Sequence, residues 1–356
     1  LGSVSCVDDA GAEDPEKFAD VPLMPEHGAA AVTIPGAVDG WCRLLERFGS
    51  RPLAKLWEPA VAAARDGYPV GESIAGMWAL AAPQLPRFAT PELLGILLPG
   101  GKPPVPGQLV RFPQLAGTLE RVAKGGREAF YGGPVAAAIA DTLTAGGVRT
   151  AAVDIARQEA RWVEPLAVRY RGREVLGLPP NSQSIVALVA LGILEAYDLA
   201  AMEEAARLHH QIEALRLGFE FAIDEVGEPT EPMLEKVRRV LAAESLAGLR
   251  RRITDKATAS VRVQGGNSAD TTYICAVDAA GNAVSLMTSI CGLFGSGLLA
   301  GDSGVILNNR ASQFSTRRGH PNRLAPGRRP RHTILPGMVL RDGVPEVVLG
   351  CIGLNN

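Results

Sequence analysis

The stretch from Ile185 to Leu194, IVALVALGIL, is apolar throughout. It falls well short of the roughly 20 residues that a membrane-spanning helix needs, and it has no polar stripe with which a surface helix could meet water. Such a segment is a helix buried on all sides, and the rest of the chain must wrap it. Asn181 or Ser182, in LPPNSQS, is placed to cap its start. The next segment, MEEAARLHHQIEALRLGFEFAIDEVG, reads as a long amphipathic helix able to pack on it. After Asp270 the pattern changes: TTYICAVD and NAVSLMTSI are β-branched and apolar, with the turn-like AAGN between them, which predicts a hairpin. GVILNN and HTILPGMVLRDGVPEVVLG supply further strand-like runs, the second turning at Asp342-Gly343. A helical middle and a β-rich final third predict helices packed on sheets.

Before the buried helix the chain is rich in Pro and Gly. GWCRLLERFG and PLAKLWEPAVAAARDG are expected as scaffold helices that stop at glycine. Trp41, Trp57, Trp78 and Trp162 are expected to pack against them. From Met233 to Ala257 the pattern is helical and strongly charged, and the polar TASVRVQGGNSAD then separates it from the hairpin. Its Gly, Asn and Ser content predicts an exposed, flexible linker of the kind proteolysis favours. No repeat of fixed period is present.

Hydrophobic residues make up 47% of the 356, enough for a substantial core without staples. A formal net charge of −2 provides no field to attract nucleic acid or an anionic membrane, so small-molecule partners are expected. Cys6, Cys42, Cys275, Cys291 and Cys351 stand singly, which argues against a disulfide framework or a structural zinc site. Cys275 and Cys291 could face each other across the hairpin, but buried small hydrophobes are the favoured reading. His209-His210 has no carboxylate at metal-site spacing, and no metal or cofactor is expected. The chain begins at Leu1 with no basic-then-apolar leader, leaving a cytoplasmic or a periplasmic or secreted location open.

The hairpin opens on two hydroxyls, Thr271 and Thr272. Taken alone, they read as β-propensive strand residues. A threonine hydroxyl needs a base to act as a nucleophile, and none of the five histidines lies in a triad-like context. One solution places the threonine at a new chain terminus, where its own α-amine, with a pKa of about 7.7–8.0, accepts the hydroxyl proton.

DTTYICAVDAAGNAVS, followed by FGSGLLAGDSGVILNNRASQFS, resembles the start of the small subunit in the γ-glutamyltranspeptidase family. Upstream, VTIPGAVDGWCRLLERFGSRPL, PPNSQSIVALVALGILEAYDL and HHQIEALRLGFEFA resemble its large-subunit motifs, so the likeness covers nearly the whole chain. The resemblance implies an N-terminal nucleophile hydrolase. Its fold would be an α+β four-layer αββα sandwich, apparently incomplete at both ends here. It would be made as a self-cleaving precursor of an amide hydrolase or acyltransferase, with no cofactor. Residues 1–270 would be the large-subunit region, ending in a processing linker at about 258–270, and 271–356 the small-subunit region. The bond cut would be Asp270–Thr271, making Thr271 the nucleophile and Thr272 a strand residue. Ser289 falls where the family places a second hydroxyl bonded to the nucleophile; its alternative is a solvent-facing strand serine. The oxyanion turn falls on GCIGLNN, which keeps Gly353 but has Leu354 where a second glycine is expected. If that turn needs positive φ, Leu354 cannot adopt it cheaply.

Further departures bear on substrate. Where the family holds a γ-glutamyl amino group with a neutral amide and an acid, this chain has Arg310 and Gln313, and where it has a serine pair, His332 and Thr333. An arginine cannot pair with an ammonium but can grip a carboxylate bidentately. The acyl group is therefore expected to end in an acid and to lack a free α-amine. These segments resemble the divergent branch that includes oxamate amidohydrolases and cephalosporin (glutaryl) acylases. Arg310 has a competing reading as part of a solvated basic loop, since Arg317, Arg318, Arg323, Arg328, Arg329 and Arg331 follow closely. The expected partners are an amide substrate bearing a carboxylate and the two subunits of one precursor, with higher oligomers left open. The competing function is a non-catalytic remnant or binding protein that keeps the fold.

Overall fold

A computed structural model describes residues 3–5, 15–18, 21–258 and 270–352. The first half is a scaffold of helices α1 (Ala37–Phe48), α2 (Leu53–Asp66), α3 (Glu72–Ala81), α4 (Pro91–Leu97), α5 (Pro113–Tyr131), α6 (Pro134–Ala145) and α7 (Ala152–Ala156). Then come α8 (Ser184–Leu194), α9 (Glu204–Glu225), α10 (Glu231–Val240) and α11 (Ala243–Arg250). The strands, in chain order, are β1 (Ser3–Ser5), β2 (Tyr68–Pro69), β3 (Leu109–Val110), β4 (Arg161–Val163), β5 (Leu166–Tyr170), β6 (Arg173–Gly177), β7 (Asp270–Val277), β8 (Ala283–Cys291), β9 (Leu335–Arg341) and β10 (Val344–Cys351).

The apolar run forms α8, with Ile185, Val189 and Ile193 fully buried. One side of α8 meets β5 and β6, and α9 lies along it. The two helices approach so closely that a Cβ on Gly218 would lie 2.6 Å from the Val186 carbonyl oxygen. The helix begins one residue later than the candidate caps allowed: Gln183 holds the N-cap position without a side-chain bond, and Ser182 Oγ accepts from the Ser184 N–H at 3.2 Å. The charged helical pattern after Met233 is not one helix, because the chain breaks at Leu241-Ala242 into α10 and α11.

β5, β6, β9 and β10 form one antiparallel sheet in the order β10-β9-β6-β5. Its central seam pairs β6 with β9, Glu174 through Gly177 opposite Leu340 through Gly337. The hairpin of β7 and β8 packs on β9 and β10. Helices on a sheet, with a second β layer on that sheet, give the α+β class expected and the αββ order of the sandwich. The β9–β10 turn falls at Asp342-Gly343, both with positive φ (52° and 79°), as a two-residue hairpin turn requires.

GVILNN does not form a strand. Leu299 and Ile306 make an isolated bridge, and Leu307 and Asn309 bond to different segments, at Leu298 and Ile290. A stretch whose backbone partners change every second residue cannot extend a ladder. Cys275 is also not buried: it lies opposite Ser285 in the exposed outer part of the hairpin, while Cys291 is buried opposite Asp270. The two thiols do not face each other. Trp41 and Trp57 meet edge to face, Trp78 is buried against Phe294, and Trp162 packs on Phe48 and Arg47. Among the described residues no helix is long and apolar enough to cross a membrane. The segment expected as a processing linker lies, apart from its ends, outside the described residues.

Candidate active site

The register of β7 and β8 sets Thr271 opposite Ser289 and Thr272 opposite Thr288. A register shift lies between Asp270 and Thr271, so the ladder is interrupted at the bond that leads into Thr271. Bulges of this kind re-aim side chains and are common beside active sites. Thr271 Oγ1 donates to Ser289 Oγ at 3.0 Å. The main chain then turns sharply: Cys291 has φ of 78° and its N–H donates to the same Ser289 oxygen at 2.9 Å. For a residue with a Cβ this backbone is strained, a cost that recurs at functional sites.

Arg310 completes the array. It opens a short 3₁₀ turn, Arg310–Gln313, and is wholly buried rather than part of a solvated loop. Its Nη2 donates to Ser289 Oγ and its Nη1 to Thr333 Oγ1, each at 2.9 Å. Its Nε is buried without a hydrogen-bond partner, and no carboxylate among the described residues is in ion-pair contact with it. A guanidinium buried against hydroxyls alone lacks the counter-charge that a buried cation ordinarily has.

His332, beside Thr333, is also buried. Its backbone N–H donates to Asn181 O at 2.8 Å, and its Nδ1 accepts from the Ile334 N–H at 3.4 Å. Burial first, and then the positive charge of Arg310, hold its imidazole well below the usual histidine range. At neutral pH it is therefore an uncharged ring with its proton on Nε2. Gln313 is buried at the end of the Arg310 turn, but its Oε1 has no partner among the described residues, and the geometry does not join it to Thr271 or Ser289. Gly353 and Leu354 lie outside the described residues. His209 and His210 bond to the carbonyls of Thr254 and Ala206, away from this array.

Three supporting residues escaped the sequence reading: Thr33, Asn308 and Asn309, all buried. Asn308 Oδ1 accepts from Arg310 N, and Asn309 Oδ1 from Gly292 N. The signal was two adjacent amides closing an apolar run, a poor ending for a strand and a common device for satisfying backbone elsewhere. Two clefts of about 420 Å³ and 790 Å³ flank residues 298–306, and neither is lined by Thr271, Ser289 or Arg310.

Residues 11–355 match the model of the family described as Gamma-glutamyltranspeptidase. The chain is 35% identical to the glutathione hydrolase-like YwrD proenzyme of Bacillus subtilis, over 91% of this chain and 61% of that protein. It is likewise 35% identical to the acylase ACY 1 proenzyme of Pseudomonas sp. strain SE83, over 92% of this chain and 59% of that one. The crystal structure of cephalosporin acylase from Bacillus halodurans superposes with a TM-score of 0.87 at 30% identity, covering 98% of this chain and 65% of that one. The chain thus spans about three fifths of the length of the curated relatives it matches. An ordered match over nearly all of its residues, with a fold superposable on a solved acylase, places the chain in the γ-glutamyltranspeptidase family.

Proposed function

We propose that the protein is an amide hydrolase or acyltransferase of the N-terminal nucleophile type, made as a precursor that cuts itself between Asp270 and Thr271. The observation that carries this reading is the hydrogen-bonded series Thr271, Ser289, Arg310, with separations of 3.0 and 2.9 Å and a wholly buried guanidinium at its end. Cleavage releases the α-amine of Thr271. That amine takes the proton of Oγ1 as the oxygen attacks the amide carbonyl, forming a C–O bond. The C–N bond then breaks and the leaving amine takes the proton, leaving an acyl ester on Thr271. Water or an acceptor amine then attacks the ester and restores the hydroxyl. Ser289 holds Oγ1 in place, and the backbone at Gly353 and Leu354 is the proposed oxyanion donor.

The acyl group is proposed to end in a carboxylate. Arg310 spends one N–H on Ser289 and one on Thr333, and its remaining donors suit a second acid group at the far end of the acyl chain. The neutral ring of His332, with Gln313 and Thr333, would shape the pocket around it. Intact-mass spectrometry of the protein beside Thr271→Ala tests the nucleophile: a fragment beginning at Thr271 is expected in the first and absent from the second. A single uncut chain in both would favour a non-catalytic protein that keeps the fold. A panel of glutaryl, oxamate and γ-glutamyl amides tests the acyl group, and preference for γ-glutamyl compounds with a free α-amine would sink the role given to Arg310.

A further inference from the structure

We infer that Asn308 and Asn309 are positioning residues that set the Arg310 guanidinium against Ser289, and that they do so by gripping the main chain of residues 26 and 33; the inference rests on the carboxylate-binding role proposed for Arg310. The two amides sit side by side but serve different ends of the array. Asn308 Oδ1 accepts from Arg310 N at 2.9 Å, from Thr33 N at 3.1 Å and from Thr33 Oγ1 at 2.9 Å, while its Nδ2 donates to Thr33 O at 2.8 Å. Asn309 Oδ1 accepts from Gly292 N at 2.7 Å, its Nδ2 donates to Glu26 O at 2.8 Å, and its backbone N–H donates to Ile290 O at 3.1 Å. The first amide fixes where the arginine leaves the backbone. The second holds Gly292, just past the strained Cys291, while the backbone N–H of the same residue holds Ile290 just before it, both within three residues of Ser289.

Both amides therefore reach from the region after Thr271 to the region before it, over sequence separations of 275 and 283 residues. The groups they join are buried, with Thr33 at 1%, Asn308 at 3% and Asn309 at 5% exposure, so water cannot replace a lost bond. An arginine side chain has several rotatable bonds. Holding its head group 2.9 Å from Ser289 requires that both its root and its target be fixed, and these two amides fix them. If the proposed cleavage occurs, the specificity of the small subunit depends on main chain that belongs to the large one.

The test compares glutaryl and butyryl anilides, acyl chains that differ in a terminal carboxylate, as substrates of the protein and its variants. Asn308→Asp keeps the shape, removes the donation to Thr33 O and adds a negative charge, so Thr33→Val, which removes the hydroxyl's bond to Asn308 Oδ1 with little change of volume and none of charge, is the uncharged control. Asn308→Asp is expected to lower kcat/KM for the glutaryl substrate by roughly 30- to 100-fold, mostly through KM, as displacement of a positioning group by about 1 Å does. The loss on the butyryl substrate should be several-fold smaller, and Thr33→Val should give a weaker version of the same split. Equal losses on both substrates, or losses confined to kcat, would show that the amides only support the fold and would overturn the inference. A wild-type protein with no preference for the glutaryl anilide would overturn the Arg310 reading itself and this inference with it. Should Asn308→Asp fail to fold, the Thr33→Val comparison alone decides.

Discussion

Replacing Arg310 by Met should make the protein more stable and abolish the binding of acid-ended ligands proposed for it. The guanidinium is wholly buried, makes two hydrogen bonds to hydroxyls and leaves Nε without a partner. Burying an ion costs several kcal/mol even after relaxation. Two hydrogen bonds from a charged donor return about 1.5–3 kcal/mol each, and an unmet buried donor costs about 1–3 kcal/mol. The balance is close to zero or unfavourable, and Met fills much of the same space without these demands. Ser289 Oγ keeps its contacts with Thr271 and the Cys291 N–H, so the principal loss falls on Thr333. A gain of about 1–2 kcal/mol is expected, which for a chain of this length raises Tm by about 1–3 °C. Differential scanning calorimetry with and without glutarate reads both effects. Glutarate at 100 times its Kd should add about 2.7 kcal/mol to the wild type and nothing to Arg310→Met. A variant that melts well below the wild type, yet is stabilised equally by glutarate, would show that Arg310 is a structural cation and refute the reasoning.

Glu213 is buried on α9 and accepts from the Thr258 N–H at 2.9 Å and from Arg216 Nε at 2.8 Å. Desolvation pushes its carboxyl up, but the Thr258 and Arg216 bonds outweigh that and bring its pKa down to about 2. Because the folded pKa lies below the unfolded value of about 4.3, the stabilisation is complete above roughly pH 5 and lost as pH falls toward 2. Urea titrations from pH 6 to 2.5 should show this slope, and Glu213→Gln should flatten it; an unchanged slope would exclude Glu213 as its source. Gly218→Ala gains about 1 kcal/mol of helix propensity but puts a methyl 2.6 Å from the Val186 carbonyl. Separating two packed helices costs more than that gain, so a net loss of about 1–3 kcal/mol is expected in urea denaturation, and a stabilised variant would contradict the α8–α9 packing.

The elements that the sequence reveals are those whose causes are local. The hairpin is legible because alternation and the AAGN turn fix its register, which alone brings Thr271 opposite Ser289. α8 is legible because an unbroken apolar run of that length has nowhere else to go. The interior of the site is not local in this sense. Nothing in an arginine-rich stretch says that Arg310 is the member wholly buried against two hydroxyls, since burial depends on Ser289 and Thr333 arriving from other segments. Likewise Val305 to Asn309 looks like a strand until Thr33 and Glu26, far away in sequence, claim the two asparagine amides. Cys275 reads as a core residue by type but is exposed, while Ser285 opposite it takes the contact with the neighbouring strand through Leu349 O.

The seam between β6 and β9 bears on how the molecule would survive its own cutting. Glu174 through Gly177 precede the proposed cleavage point and Gly337 through Leu340 follow it, yet they share one antiparallel ladder at the centre of the sheet. An uncut chain that unfolds can bring these strands back together by intramolecular search. Once cut, the same ladder joins two separate molecules, and re-forming it becomes a second-order encounter whose rate falls with dilution. The processed protein would then be protected by slow unfolding and not by ready refolding, its lifetime set by the barrier to opening that seam.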